Sequence, residues 1–169
     1  MKLRSAGLLP YRIDPAGTLE VVIVHPGGPF WAKRDVGAWS IAKGECGLDE
    51  DPRIAAAREF AEELGQPAPS GAWIELGEVR QKSGKRVVAW ALDAPRLEVE
   101  NLRSNLVEIV WPPRSGHRMS VPEVDQARWC RSDEARRLLL GAQVAFVDRL
   151  LAALGPPAGD VAGSPGSVV

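Results

Sequence analysis

The segment "DPRIAAAREFAEELG", Asp51 to Gly65, carries the signals for both ends of a helix. Asp51 suits an N-cap, and Pro52 suits the first helical position, where a missing N–H costs nothing. Gly65 suits the left-handed residue just past the last turn, and Pro67 bars continuation. Between them Ala57, Phe60, Ala61 and Leu64 recur at the spacing of an apolar stripe. A helix so bounded needs a surface to lie on, and the flanking sequence supplies strands. "SAGLLPYRI" (Ser5–Ile13) and "LEVVIVH" (Leu19–His25) read as strands around the turn "DPAG". Val22, Ile23 and Val24 form a continuous β-branched run, which predicts a strand buried on both faces.

The later elements follow the same logic. A loop, "FWAKRDVGAWSIAKGE", holds a short extended piece near Trp39–Ile41. "IELGEVRQ" and "KRVVAWAL" predict a hairpin around "KSGK". "LVEIVWPP" predicts a strand ended by its prolines, and "DQARWC" a further short strand. Ser132 is expected to cap "DEARRLLL", and "AQVAFVDRLLAAL" to form a last amphipathic helix. Strands, helix, strands, helix imply an α+β chain with helices packed on a mixed sheet. A chain of 169 residues fits one domain, expected over residues 1–154, with the Gly-, Pro- and Ser-rich residues 155–169 as a flexible tail.

The composition narrows the function classes. A net charge of −1 gives no global attraction for nucleic acid or an anionic membrane. No stretch is long and apolar enough to span a bilayer. The start, "MKLRSAGLLPYRID", is interrupted too soon for a secretory signal. Cys46 and Cys130 make neither a disulfide framework nor a CxxC metal pair, which fits a reducing cytoplasm.

The helix poses a chemical question. At about 100° per residue, Glu59, Glu62 and Glu63 are expected on the face opposite the apolar stripe. Like charges at this spacing cost a helix a few tenths of a kcal/mol per pair. One answer is a solvated face, with Arg58 pairing to Glu62 four residues on. The other is a cation held between the carboxylates.

The surrounding residues favour the cation. Gly44, five residues, Glu50, seven residues, Arg58-Glu59, Phe60, Ala61, Glu62-Glu63, Leu64, Gly65 resembles the Nudix box, G-x5-E-x7-R-E-U-x-E-E-x-G-U, with U bulky and apolar. All seven fixed identities are present, a chance match on the order of one in a million for such a chain. The final U position departs from the pattern, with Gln66 there. The resemblance to the Nudix hydrolases covers roughly residues 1–154. "HPGGPFWAKRDVGAWSIAKGE", "FAEELG" and "VWPPRSG" look like a bacterial subgroup described as NTP pyrophosphohydrolases; Ala42 stands where that subgroup usually has proline.

The resemblance implies an α/β/α sandwich with a mixed sheet between helices. It also implies divalent-metal-dependent hydrolysis of a diphosphate linkage in a nucleoside diphosphate derivative, an NTP or dinucleoside polyphosphate foremost. Mg²⁺ or Mn²⁺ is the implied cofactor, and hard oxygen ligands are what such ions take. By resemblance Glu62 and Glu63 are metal ligands, and Glu59 is a ligand to a second ion or the base for water. The Lys43 backbone carbonyl is a further ligand, Arg58 and Glu50 form an orienting ion pair, and Gly44 and Gly65 serve the backbone. The family often adds a carboxylate from a loop before the last core strand. Within "SVPEVDQARW" that points to Glu123 first and Asp125 second, with Glu108 third.

Substrate contacts rest on residue type alone. Lys33, Arg34, Lys85, Arg86, Arg114 and Arg118 are basic groups suited to phosphates. "PPRSGHR" combines Gly, Ser and basic groups, and His117 there offers proton transfer. His25 reads as a strand end. Trp31, Trp39 and Trp111 are candidates to stack on a base, with core packing favoured for Trp39. The expected partner is a small nucleotide or polyphosphate; the modest basic content argues against long RNA. Two rivals stand beside the enzyme: a Nudix-fold module that senses a nucleotide without cleaving it, and a partner-binding domain that docks through its acidic face. Monomer and homodimer are both left open by the sequence.

Overall fold

Val22 and Ile23 point to opposite sides of one sheet, and helices cover both sides. The computed structural model describes residues 4–156, so most of the expected tail, residues 157–169, lies outside the described residues. Strands β1 (Arg4–Ile13), β2 (Leu19–Pro26) and β3 (Ala42–Glu45) precede helix α1 (Pro52–Leu64). Strands β4 (Trp73–Arg80), β5 (Arg86–Asp93), β6 (Leu106–Val110), β7 (Arg118–Pro122) and β8 (Val124–Arg131) follow, then α2 (Ser132–Leu138) and α3 (Val144–Leu154). A 3-10 turn, Gly141–Gln143, joins the last two helices.

The main sheet runs β4-β5-β1-β2-β8, with β3 paired to the rest of β1. β1 and β5 are parallel from Arg4↔Arg86 to Tyr11↔Asp93, and the other pairings are antiparallel, so the sheet is mixed. One face buries Ala6, Leu8, Val22, Val24, Val88 and Trp90 against Phe60 and Leu64 of α1. The other buries Leu9, Val21, Ile23, Val87 and Ala89 against Leu138 of α2 and Phe146 and Leu150 of α3. This two-residue alternation is what a strand dictates when both sides of its sheet are covered. The α/β/α sandwich is therefore the observed architecture. No helix among the described residues is long and apolar enough to cross a membrane.

The α1 boundaries fall where the caps place them. The Asp51 carboxylate accepts the Arg53 N–H at 2.8 Å, and Gly65 takes φ 68°. A side chain at Gly65 would also meet the Arg103 carbonyl oxygen at 2.4 Å.

One expectation is corrected and two gain detail. The extended piece begins with single bridges at Trp39 and Ser40, and the strand itself comes later, at Ala42–Glu45. Ser132 is the first residue of α2 and Arg131 the cap, with no side-chain capping bond. "LVEIV" forms the expected strand, ending before the prolines, but lies outside the main sheet. It pairs with β7 in a separate two-stranded hairpin whose turn is the Pro-Pro-Arg-Ser-Gly stretch. Leu106, Val107 and Val110 are exposed there, so their apolar character does not mark a core strand.

Candidate active site

β3 brings the first box residues to α1. It closes tightly on β1 because Gly7 has no side chain; a Cβ there would lie 2.6 Å from the Ala42 carbonyl oxygen and from Lys43 Cβ. Gly44 answers a second constraint. A Cβ at that position would lie 1.9 Å from Glu59 Oε2, so the space a side chain would take belongs to the Glu59 carboxylate. The apolar stripe is accordingly rotated from its expected position. Ala57 and Ala61 are half-buried, while Glu59 and Glu63 are 6% and 5% exposed and sit beside Ala56, Phe60 and Leu64 on the packed face. Glu62 stays at the surface side of this group.

Arg58 ties the box together. Its Nε and Nη2 donate to the two oxygens of Glu50 at 2.9 and 3.0 Å, and Nη2 also donates to the Glu45 carbonyl at 3.0 Å. Its Nη1 donates to Glu59 at 2.9 Å and to Glu62 at 3.3 Å. A planar guanidinium with five N–H groups suits this fan of acceptors, which a lysine could not reproduce. The Arg58 bonds, with one from the Gly47 N–H, hold the Glu50 carboxyl down to about 2.

Glu63 is held from β3, where the Lys43 N–H donates to Oε2 at 3.2 Å. Glu123 arrives from the junction of β7 and β8. That junction is fixed by the Glu123 N–H to the Asn105 carbonyl at 2.8 Å and by the Gly27 N–H to the Glu123 carbonyl at 3.1 Å. Glu59, Glu63 and Glu123 each offer an oxygen, and the three oxygens lie within 4.8 Å of one another. Burial pushes the Glu63 carboxyl up from 4.5 to about 8; Lys43 pulls it back, and Glu123 and Glu59 push it further. Burial also raises Glu59, against the Arg58 hydrogen bond. The Lys43 ammonium is lowered by its own burial, against the pull of Glu63. Carboxylates this close and this dry resist ionising together unless a cation joins them. An all-oxygen donor set of this kind fits a hard divalent ion such as Mg²⁺ or Mn²⁺.

These groups open into a cleft of about 350 Å³, lined among others by Glu63, Glu123, Lys43, Lys85, Ile41 and Trp31. The other residues singled out in the sequence distribute unevenly around it. Arg34 lies over the Phe30 ring at 4.2 Å, beside Trp31, and Lys33 and Arg34 line a neighbouring hollow. Arg86 is taken by Glu78 at 3.3 Å, and Arg118 by Glu108 at 2.9 Å. Arg114 and His117 stand exposed at the turn of the β6–β7 hairpin and do not line the cleft. Asp125 faces His25 Nδ1 at 2.9 Å, not the carboxylate cluster. His25 is buried, with Nε2 at 2.7 Å from the Arg34 carbonyl. Trp39 is buried in the core. Two glutamines, Gln143 and Gln81, drew no attention in the sequence, yet they hydrogen-bond beside the cleft. No local pattern in the sequence marks either of them.

The profile of the NUDIX domain matches residues 3–153. Among curated proteins no sequence matches significantly. Solved structures do match. The Ap4A hydrolase of C. elegans, in a binary complex, is 22% identical with a TM-score of 0.62, over 90% of this chain and 97% of that one. A NUDIX hydrolase from Listeria monocytogenes is 16% identical with a TM-score of 0.61, over 89% and 92%. The NUDIX domain of Shewanella oneidensis NrtR, complexed with ADP ribose, is 14% identical with a TM-score of 0.58, over 92% and 90%. At such identities these structures establish the shared fold, and the profile match establishes the lineage: the chain belongs to the Nudix hydrolase family, with its NUDIX domain over residues 3–153.

Proposed function

We propose that this chain hydrolyses a diphosphate linkage in a nucleoside diphosphate derivative, with a divalent metal ion held by Glu59, Glu63, Glu123 and the Lys43 carbonyl. The observation that carries this reading is the meeting of three carboxylate oxygens within 4.8 Å at a cleft that also presents Lys43 and Lys85. When bound, Mg²⁺ or Mn²⁺ supplies charge neutralisation for the phosphate oxygens and acidifies a water.

The chain's own residues divide the remaining work. Arg58 and the Lys43 N–H fix the rotamers of Glu59 and Glu63, so the donor set is organised before substrate arrives. Glu62, half-exposed beside Arg58, is assigned to a second ion, and Glu59 is the candidate to take the proton from the attacking water. Lys43 and Lys85 draw the polyphosphate into the cleft and offset its negative charge. Trp31 on the cleft wall offers a face for the base. Arg34 and Lys33 are within the adjoining loop as further phosphate contacts. Arg86, Arg114 and His117 stand apart from the cleft and take no substrate role in this reading.

Two structural relatives, an Ap4A hydrolase and a NUDIX domain complexed with ADP ribose, point to nucleoside diphosphate derivatives as the class to try. The test is turnover of nucleoside triphosphates, dinucleoside polyphosphates and ADP-ribose-like compounds, with Mg²⁺ or Mn²⁺ and with EDTA. Metal-dependent cleavage of any of them supports the reading. Tight binding of a nucleotide with no cleavage of any would replace it with the sensing module.

A further inference from the structure

Gln143 has no exposed surface, yet its side chain is polar. It sits in the 3-10 turn between α2 and α3, and its carboxamide is fully engaged. Oε1 accepts the Ile41 N–H at 2.9 Å; Nε2 donates to Ser40 Oγ at 3.1 Å and to Gln81 Oε1 at 3.0 Å. A backbone N–H can only donate, so the amide orientation is fixed by Ile41. An apolar side chain would fill such a space without the cost of burying a carboxamide. The polar choice instead ties two distant segments, at Ser40–Ile41 and at Gln81, to one point.

Both segments lead to walls of the cleft. Ile41 lines it and leads directly into Lys43 and Gly44 on β3. Gln81 closes the β4–β5 turn: its N–H donates to the Lys85 carbonyl at 2.9 Å, and its carbonyl accepts the Gly84 N–H at 2.8 Å. Gly84 takes φ 87°, so the turn has a defined shape, and Lys85 emerges from it into the cleft. A lysine on an unsupported turn would spread its ammonium over many positions.

We propose that Gln143 is a positioning residue that acts through Gln81 to hold the Lys85 ammonium at a set distance from the box strand, so that the cleft grips a polyphosphate chain between its carboxylates and Lys85. The kind of ligand rests on the hydrolase reading above; the clamp itself rests on the hydrogen bonds. Gln143 touches no substrate, and its effect is on binding, not on the chemical step.

The test is the affinity for an imido analogue of tripolyphosphate, which resists hydrolysis, measured by calorimetry with Mg²⁺. Gln143→Leu leaves the Ile41 N–H buried without a partner, so the half-exposed Gln81→Met carries the experiment. Lys85→Met and Gln81→Met are each expected to raise Kd about tenfold, and the double variant also about tenfold, because both remove the same contact. Mn²⁺ affinity stays unchanged in Gln81→Met, and on any substrate turned over its KM rises with kcat nearly constant. Effects that multiply to about a hundredfold, an unchanged Kd in Gln81→Met, or no binding of the analogue by the wild type would each overturn the clamp. Wild-type turnover judges the hydrolase reading separately. Coupling without turnover keeps the clamp and rejects hydrolysis, and turnover without coupling does the reverse.

Discussion

Glu63 carries a heavy electrostatic load in the box. It is 5% exposed, and burial holds its carboxyl near 8. An acid whose folded value is raised above its unfolded value binds more protons when folded, so stability falls as pH climbs through that interval. Metal-free protein is therefore expected to lose thermal stability between about pH 4.5 and about pH 8, as read by the melting temperature in EDTA. Glu63→Gln should flatten that slope and melt higher than the wild type at pH 8, while losing at least about a hundredfold in turnover. A Glu63→Gln protein with the wild-type slope would show that the buried charge lies elsewhere. Glu62 shares the motif but not the environment, since it meets Arg58 at the half-exposed rim.

At the scale of elements, α1 and β3 act as one unit, and glycine makes the unit possible. Gly44→Ala would place a methyl 1.9 Å from Glu59 Oε2, so the carboxylate must leave its position. Activity is expected to fall far more than stability, and Mn²⁺ affinity with it; a Gly44→Ala enzyme of full activity would contradict the packing account. The helix ends are a separate matter. Asp51→Ala removes the cap to Arg53 and should cost about 1 kcal/mol, visible as a lower denaturation midpoint with kcat unchanged. These ends were legible in the sequence because capping is local: Asp51, Pro52 and Gly65 each act on the turn beside them. The packed face of α1 was not legible. An apolar stripe counts residues along one helix, whereas the burial of Glu59 and Glu63 depends on a strand that approaches from β1 and leaves room at Gly44. The β6–β7 hairpin was legible only in its first strand, "LVEIV". β7 is mostly exposed, so it lacks the alternation by which a strand announces itself.

Over the whole molecule, the sandwich gathers groups that the chain keeps far apart. Glu123 stands 60 positions beyond Glu63 (123 − 63) and reaches it because β8 pairs with β2 at the end of the sheet near α1. Which of Glu123 and Asp125 turns toward the box is set by the short kink between β7 and β8, and Asp125 goes to His25. No local pattern fixes that choice. Nor does one reveal Gln143, whose partners Ile41 and Gln81 are brought to it only by packing. The site also links metal to global stability. A cation that replaces protons on Glu59 and Glu63 should raise the melting temperature more at pH 8 than at pH 5, a difference read by Mg²⁺ titration at the two values. The most direct test of the central claim pairs two readings on wild type and Glu63→Gln: Mn²⁺ binding by electron paramagnetic resonance, and release of phosphate-containing products from the cleaved nucleotide. The account predicts that both fall together in Glu63→Gln while circular dichroism is unchanged. Wild-type turnover and wild-type Mn²⁺ affinity in that variant would contradict it.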